Sequence, residues 1–93
     1  MNLPVLNKRR SVPKTPGRLS EVPAGMTVIV TGLDELPPAL RQSLLAYGIL
    51  PGRPVRVIAR SPVLVLEVEH TELALEIEIA RAVKVASQWG TEG

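Results

Sequence analysis

From Val55 to Val85 the apolar residues of this chain recur at every second position, in short runs separated by turn residues. Side chains of a strand alternate between its two faces, so this period describes half-buried β-strands. Val55, Val57 and Ala59 alternate with Arg56, Ile58 and Arg60 until Ser61-Pro62 interrupts them. Leu64, Leu66 and Val68 follow, set against Val65, Glu67 and Glu69. Leu73, Leu75, Ile77 and Ile79 then oppose Ala74, Glu76 and Glu78. This run reads as one strand, because a helix would scatter its glutamates around the cylinder. Ala80-Arg81-Ala82 is expected to make a single helical turn, and Val83-Lys84-Val85 a closing strand.

Upstream, Gly25 opens a turn into a strand that carries Met26, Val28 and Val30 on one face. The period then changes. Pro37 and Pro38 suit a helix's first turn, where a missing N–H costs nothing. Leu40 and Leu44 follow at i, i+4 spacing, Leu45 widens the stripe, and Gly48 is placed to cap the C-terminus in a left-handed conformation. A helix from Pro38 to Tyr47 is the expectation, reversed afterwards by a Pro51-Gly52 turn. Five short strands with one short inserted α-helix make an all-β fold. Curling so small a sheet into a partly closed β-barrel protects its edges and encloses its aliphatic faces. No internal repeat is present.

Ninety-three residues suffice for one domain. Phe is absent, and Tyr47 and Trp89 are the only aromatic residues. Cysteine is absent too, which excludes disulfides, thiolate metal sites and cysteine nucleophiles. No apolar run approaches the roughly 18 to 20 residues that span a bilayer, and no apolar stretch follows the N-terminal basic residues as in a secretory signal. A cytoplasmic location is expected. The net charge of +2 averages two unlike parts. Residues 1–18 carry Lys8, Arg9, Arg10, Lys14 and Arg18 with no acid, whereas the remainder sets six Lys or Arg against nine Asp or Glu. Residues 1–17, with Pro4, Pro13, Pro16 and Gly17, read as a flexible basic leader. The domain then spans residues 18–88, and residues 89–93 form a flexible tail.

Three segments resemble the FeoA family of bacterial ferrous iron transport proteins. Leu19-Ser20-Glu21-Val22-Pro23-Ala24-Gly25 looks like its opening, a leucine-led strand entering a glycine turn. Leu44 to Gly52, ending in Gly48-Ile49-Leu50-Pro51-Gly52, is similar to its most recognisable signature. Leu73-Ala74-Leu75-Glu76, Ile79-Ala80 and Val83-Lys84-Val85 resemble its closing pattern. The sequence departs from that pattern where the loop before the third strand shrinks to Ser61-Pro62, and where Glu76 takes a commonly basic position. The resemblance implies an SH3-like barrel in which Gly25, Gly48, Pro51, Gly52, Leu75 and Ala80 are structural. Leu75 and Ile79 face inward, and Ala80 sits at a tight corner. It also implies a non-enzymatic accessory of the ferrous permease FeoB, contacting that transporter's cytosolic GTP-binding domain. The same barrel occurs in iron-dependent repressors, whose winged-helix region has no counterpart in the leader.

Read directly, the residues offer surfaces and no catalytic constellation. His70, the single histidine, sits at a strand-end turn without a nucleophile beside it. Glu67, Glu69, His70 and Glu76, with Glu72 and Glu78, form an acidic stretch. Antiparallel pairing could set Glu67 and Glu69 beside Glu76 and Glu78. Carboxylates and imidazole suit Fe2+ or Mn2+, making a divalent transition metal the one candidate cofactor and a free-standing metal sensor the alternative function. The plainer reading is a solvated outer face. Gly48 to Gly52 lacks the Lys-Ser/Thr of a phosphate loop. Arg56 and Arg60 share a strand face and are expected to pair with glutamates on a neighbouring strand. Nucleic acid is not an expected partner, since barrels that bind it rely on stacking aromatics. Partner contact is expected at Arg41, Tyr47, Leu50, Pro51 and Arg53, around the helix end and its rigid turn. Direct membrane insertion is not expected, and the chain is a monomer or weak dimer.

Overall fold

Strand β1, Thr27–Gly32, buries Val28 and Val30 completely and is paired along both edges. A computed structural model describes residues 16–87. After β1 come helix α1 (Pro38–Ala46), strands β2 (Pro54–Ala59), β3 (Leu64–Val68) and β4 (Thr71–Leu75), a helical turn α2 (Ile77–Ala80), and strand β5 (Lys84–Ser87). The five strands form one antiparallel sheet in the order β4-β3-β2-β1-β5. Register shifts between Val30 and Gly32 and between Val57 and Ala59 interrupt two ladders. Such irregularities bend a strand and sharpen its twist. The expected all-β fold with an inserted α-helix is therefore found.

The alternation read from the sequence sets the core. Val55, Val57, Leu64, Leu66, Val68, Leu75 and Val85 join Val28 and Val30 on the buried face. Leu33, Leu36, Leu44 and Ile49 close over them from α1 and its flanking loops, while Leu19, Val22, Ala80 and Val83 complete the cluster. Each fully buried Leu or Ile stabilises the fold by about 1.5–3 kcal/mol relative to exposure.

Three expectations are corrected. The strand drawn through Leu73 to Ile79 ends at Leu75, and Ile77–Ala80 is helical. Beyond Leu64, the partner of Leu75, β3 offers nothing to pair with, so the chain turns at Glu76 and drops Ala80 into the core. The opening at Leu19 is a 3₁₀ turn, Leu19–Glu21, in place of a strand. On α1 only Leu44 is buried, while Leu40 and Leu45 are 37% and 41% exposed. The expected leader and tail lie mainly outside the described residues. Pro16 and Gly17 nevertheless belong with the domain: Pro16 is buried, and the Gly17 carbonyl accepts the Val85 N–H at 3.0 Å.

The end of α1 fixes everything that follows it. Gly48 takes φ +95°, its N–H donates to the Leu45 carbonyl at 3.0 Å, and the Ile49 N–H donates to the Leu44 carbonyl at 2.9 Å. This double closure satisfies carbonyls the helix would leave unpaired. Gly25 and Gly52 also hold positive φ, at 91° and 92°. A Cβ at Gly48 would stand 3.3 Å from Val68 Cγ1, whereas one at Gly25 would meet nothing. Gly25→Ala should therefore cost the left-handed penalty alone, about 1–2 kcal/mol. Gly48→Ala should cost more, because Val68 must also move; chemical denaturation of the two variants checks the order.

Candidate partner face and charged clusters

Tyr47 follows the last residue of α1 and is 60% exposed. The capped helix end holds its backbone, so an amphipathic ring is displayed on a rigid support. The next turn is equally anchored: the Gly52 N–H donates to the Val30 carbonyl at 2.8 Å, and the Val30 N–H to the Arg53 carbonyl at 3.0 Å. Tyr47, Leu50, Pro51 and Arg53 thus lie within seven consecutive residues, with Leu50 and Arg53 partly buried and Pro51 exposed. Arg41 stands apart. Six residues from Tyr47 along a helix is about 240° of rotation, so the two project from different faces. A groove of about 260 Å³ runs beside Tyr47, lined by Leu44, Tyr47, Glu72, Leu73, Ala74 and Leu75.

The candidate metal ligands are divided. Val68 pairs with Thr71 and Leu64 with Leu75, so Glu69 and His70 form the turn at one end of the β3–β4 hairpin and Glu76 lies beyond the other. Four residue steps of strand separate those ends, about 13 Å. Opposite Glu67 stands Glu72, and the expected apposition of Glu67 and Glu69 with Glu76 and Glu78 does not form. Arginines hold the first two carboxylates: Arg56 Nη1 lies 3.7 Å from Glu67, and Arg53 pairs with Glu69. Among the described residues no group of three or more His, Asp or Glu is arranged to hold a metal ion.

His70 is exposed, at φ 70°, next to Glu69 at φ 52°. Two positive-φ residues in a two-residue hairpin make a type I′ turn, usually built from Asn and Gly. Arg60 does not pair with a glutamate; its guanidinium donates to the Val22 carbonyl at 2.6 Å. Periodicity gives no hint of that contact, which joins segments 38 positions apart.

A second charged cluster escaped the sequence reading. Arg18 meets Glu35 through two hydrogen bonds, at 2.5 and 3.3 Å, and Lys84 reaches Asp34 at 3.1 Å and Glu35 at 3.6 Å. It ties the first described residues and β5 to the β1–α1 connection. The hydrogen bond from Arg18 holds the Glu35 carboxyl below its ordinary range, and that from Lys84 does the same for Asp34. The reciprocal bonds raise Arg18 and Lys84. Only the sheet order could have revealed this cluster, since its members are far apart in sequence.

The model of the FeoA domain family matches residues 17–87. No curated protein matches the chain. Among solved structures, FeoA from Stenotrophomonas maltophilia in complex with zinc, described as a procaryotic SH3 domain protein, is 32% identical with a TM-score of 0.64. That alignment covers 78% of this chain and 89% of the other. FeoA from Chlorobium tepidum is 24% identical, with a TM-score of 0.71 over 76% of this chain and 70% of its own. The T. acidophilum IdeR shares the fold alone, at 14% identity and a TM-score of 0.71, over 86% of this chain and 37% of its own. The sheet with its inserted helix is thus of the SH3-like kind.

The lowered carboxylates carry a pH dependence of definite sign. Asp34 and Glu35 bind fewer protons folded than unfolded, so their stabilisation is present above their ordinary values of 3.8 and 4.5 and is lost as pH falls through the lower folded values. All four side chains are well exposed, so the effect is modest and screened by salt. Asp34→Asn with Glu35→Gln should flatten the fall in melting temperature on acidification below pH 4.5, and high salt should shrink the difference from the parent chain.

Proposed function

Because the chain belongs to the FeoA domain family, we propose that it is a non-enzymatic accessory of ferrous iron uptake that binds the cytosolic GTP-binding part of a FeoB-type transporter. The observation that carries this reading is the family match across residues 17–87, together with a rigidly held, exposed Tyr47 on that domain. An aromatic ring on a fixed backbone loses little conformational freedom on binding, and tyrosine and arginine dominate interface energetics. Arg53, in the turn that follows, is ion-paired with Glu69, which a partner carboxylate can replace at small cost. Leu50 and Pro51, between Tyr47 and Arg53 in the chain, supply the apolar part of the contact, and Arg41, on another face of α1, stands apart from it.

This reading places the chain in the cytoplasm. No helix among the described residues is long and apolar enough to cross a membrane. The metal-sensing alternative lacks an assembled ligand set among those residues, and no observation favours it.

Calorimetric titration against the isolated cytosolic domain of the source organism's own ferrous transporter, with GDP and with a GTP analogue, tests the proposal. Saturable binding is expected in at least one nucleotide state. Tyr47→Ala or Arg53→Ala should weaken it about tenfold or more, equivalent to about 1.4 kcal/mol. Absence of binding in both states would overturn the transporter assignment.

A further inference from the structure

The two outer strands of the sheet are finished differently. The outer edge of β5 is covered by the chain itself: the Val85 N–H donates to Gly17, the Leu19 N–H donates to Val83 at 3.0 Å, and Arg18 forms a bridge with Lys84. β4 pairs with β3 alone among the described residues, through an unbroken ladder from Val68–Thr71 to Leu64–Leu75. It contains no proline, lysine or bulge, the usual protections of an exposed edge. Bonded and non-bonded pairs alternate in an antiparallel ladder, and the two-residue turn closes on the bonded pair Val68–Thr71. Thr71, Leu73 and Leu75 therefore bond to β3, and the N–H and C=O groups of Glu72 and Ala74 face the open side.

Charge and shape say what this edge accepts. Asp34, Glu35, Glu67, Glu69 and Glu78 are ion-paired, and Glu21 accepts the N–H groups of Gly17 and Arg18. Glu72 and Glu76 are the carboxylates left, among the described residues, with neither an ion pair nor a side-chain hydrogen bond. Glu72 lies within β4 and lines the groove with Leu44, Tyr47, Leu73 and Leu75, and Glu76 directly follows the strand.

We propose that the open edge of β4 docks an extended basic segment of a partner protein, added as a sixth strand. Its backbone exchanges hydrogen bonds with Glu72 and Ala74, an apolar side chain enters the groove beside Tyr47, and alternate Lys or Arg side chains meet Glu72 and Glu76. Main-chain bonds supply affinity in this mode, and pockets for alternate side chains supply selectivity. A second copy of this chain is disfavoured, since it would bring its own Glu72 and Glu76 to the same edge. The proposal shares Tyr47 with the transporter reading and does not depend on it.

The test titrates the ¹⁵N-labelled full chain with the peptide acetyl-Lys-Val-Arg-Val-Lys-Val-Arg-amide and with its Glu/Asp counterpart. Saturable shifts centred on Glu72, Ala74 and Tyr47 are expected from the basic peptide only. The double variant Glu72→Lys, Glu76→Lys should weaken binding about tenfold. Ala74→Pro should abolish it while leaving the β3 ladder intact, because the lost N–H faces outward. Should that variant fail to fold, a basic peptide N-methylated at alternate residues replaces it, and its failure to bind the parent chain is expected. No saturable binding up to about 1 mM, equal binding of the acidic peptide, or unchanged binding after either backbone block would overturn the proposal. So would a peptide-free dimer that shields Glu72 and Ala74.

Discussion

The pairing of Gly17–Leu19 with β5 holds the rest of this structure in place. It joins the first described residues to the last strand, which itself pairs with β1. Once that edge is covered, Leu19 and Val22 have a floor to pack on, and both are completely buried. Ala80, at the end of α2, packs in the same cluster, and the Val83 carbonyl accepts the Leu19 N–H. The stabilisation comes mainly from these aliphatic side chains. The Arg18–Glu35–Lys84–Asp34 cluster around them is exposed enough to contribute little more than register.

With the β5 edge covered by the chain itself, the open edge of the sheet among the described residues is that of β4. There the capped end of α1 and the outer strand β4 line the groove beside Tyr47. Neither needs to rearrange to be displayed. The chain has no cysteine, and among its described residues no metal-ligand group is assembled and the single histidine is exposed.

The fold was legible where a single period governed a stretch. Val28 and Val30, Val55 and Val57, and Leu64, Leu66 and Val68 all face inward as their alternation requires. Gly48 and the Pro51-Gly52 turn followed from backbone sterics. Legibility failed where a short apolar run fits two periods. Ile77 and Ile79 continue the alternation of β4, yet four residues cannot separate a strand from one helical turn, and the end of β3 decided the matter. It failed again on α1, where Leu40, Leu44 and Leu45 are equivalent in pattern and only Leu44 meets the core. For the candidate site the limit was register. The run of glutamates is visible in the sequence, but which acid opposes which, and which arginine neutralises it, depends on a hairpin turn at Glu69-His70 that lacks the usual Asn-Gly signal.

The two sheet edges differ in whether the chain covers them, and residue-resolved amide hydrogen exchange of the free chain measures that asymmetry directly. Slow exchange is expected at Leu73 and Leu75, whose N–H groups lie in the β3–β4 ladder, and at Val85, whose N–H donates to Gly17, and fast exchange at Glu72 and Ala74, whose N–H groups face the open side. Protection of Glu72 and Ala74 equal to that of Leu73 would mean that the β4 edge is already covered, and would contradict this expectation.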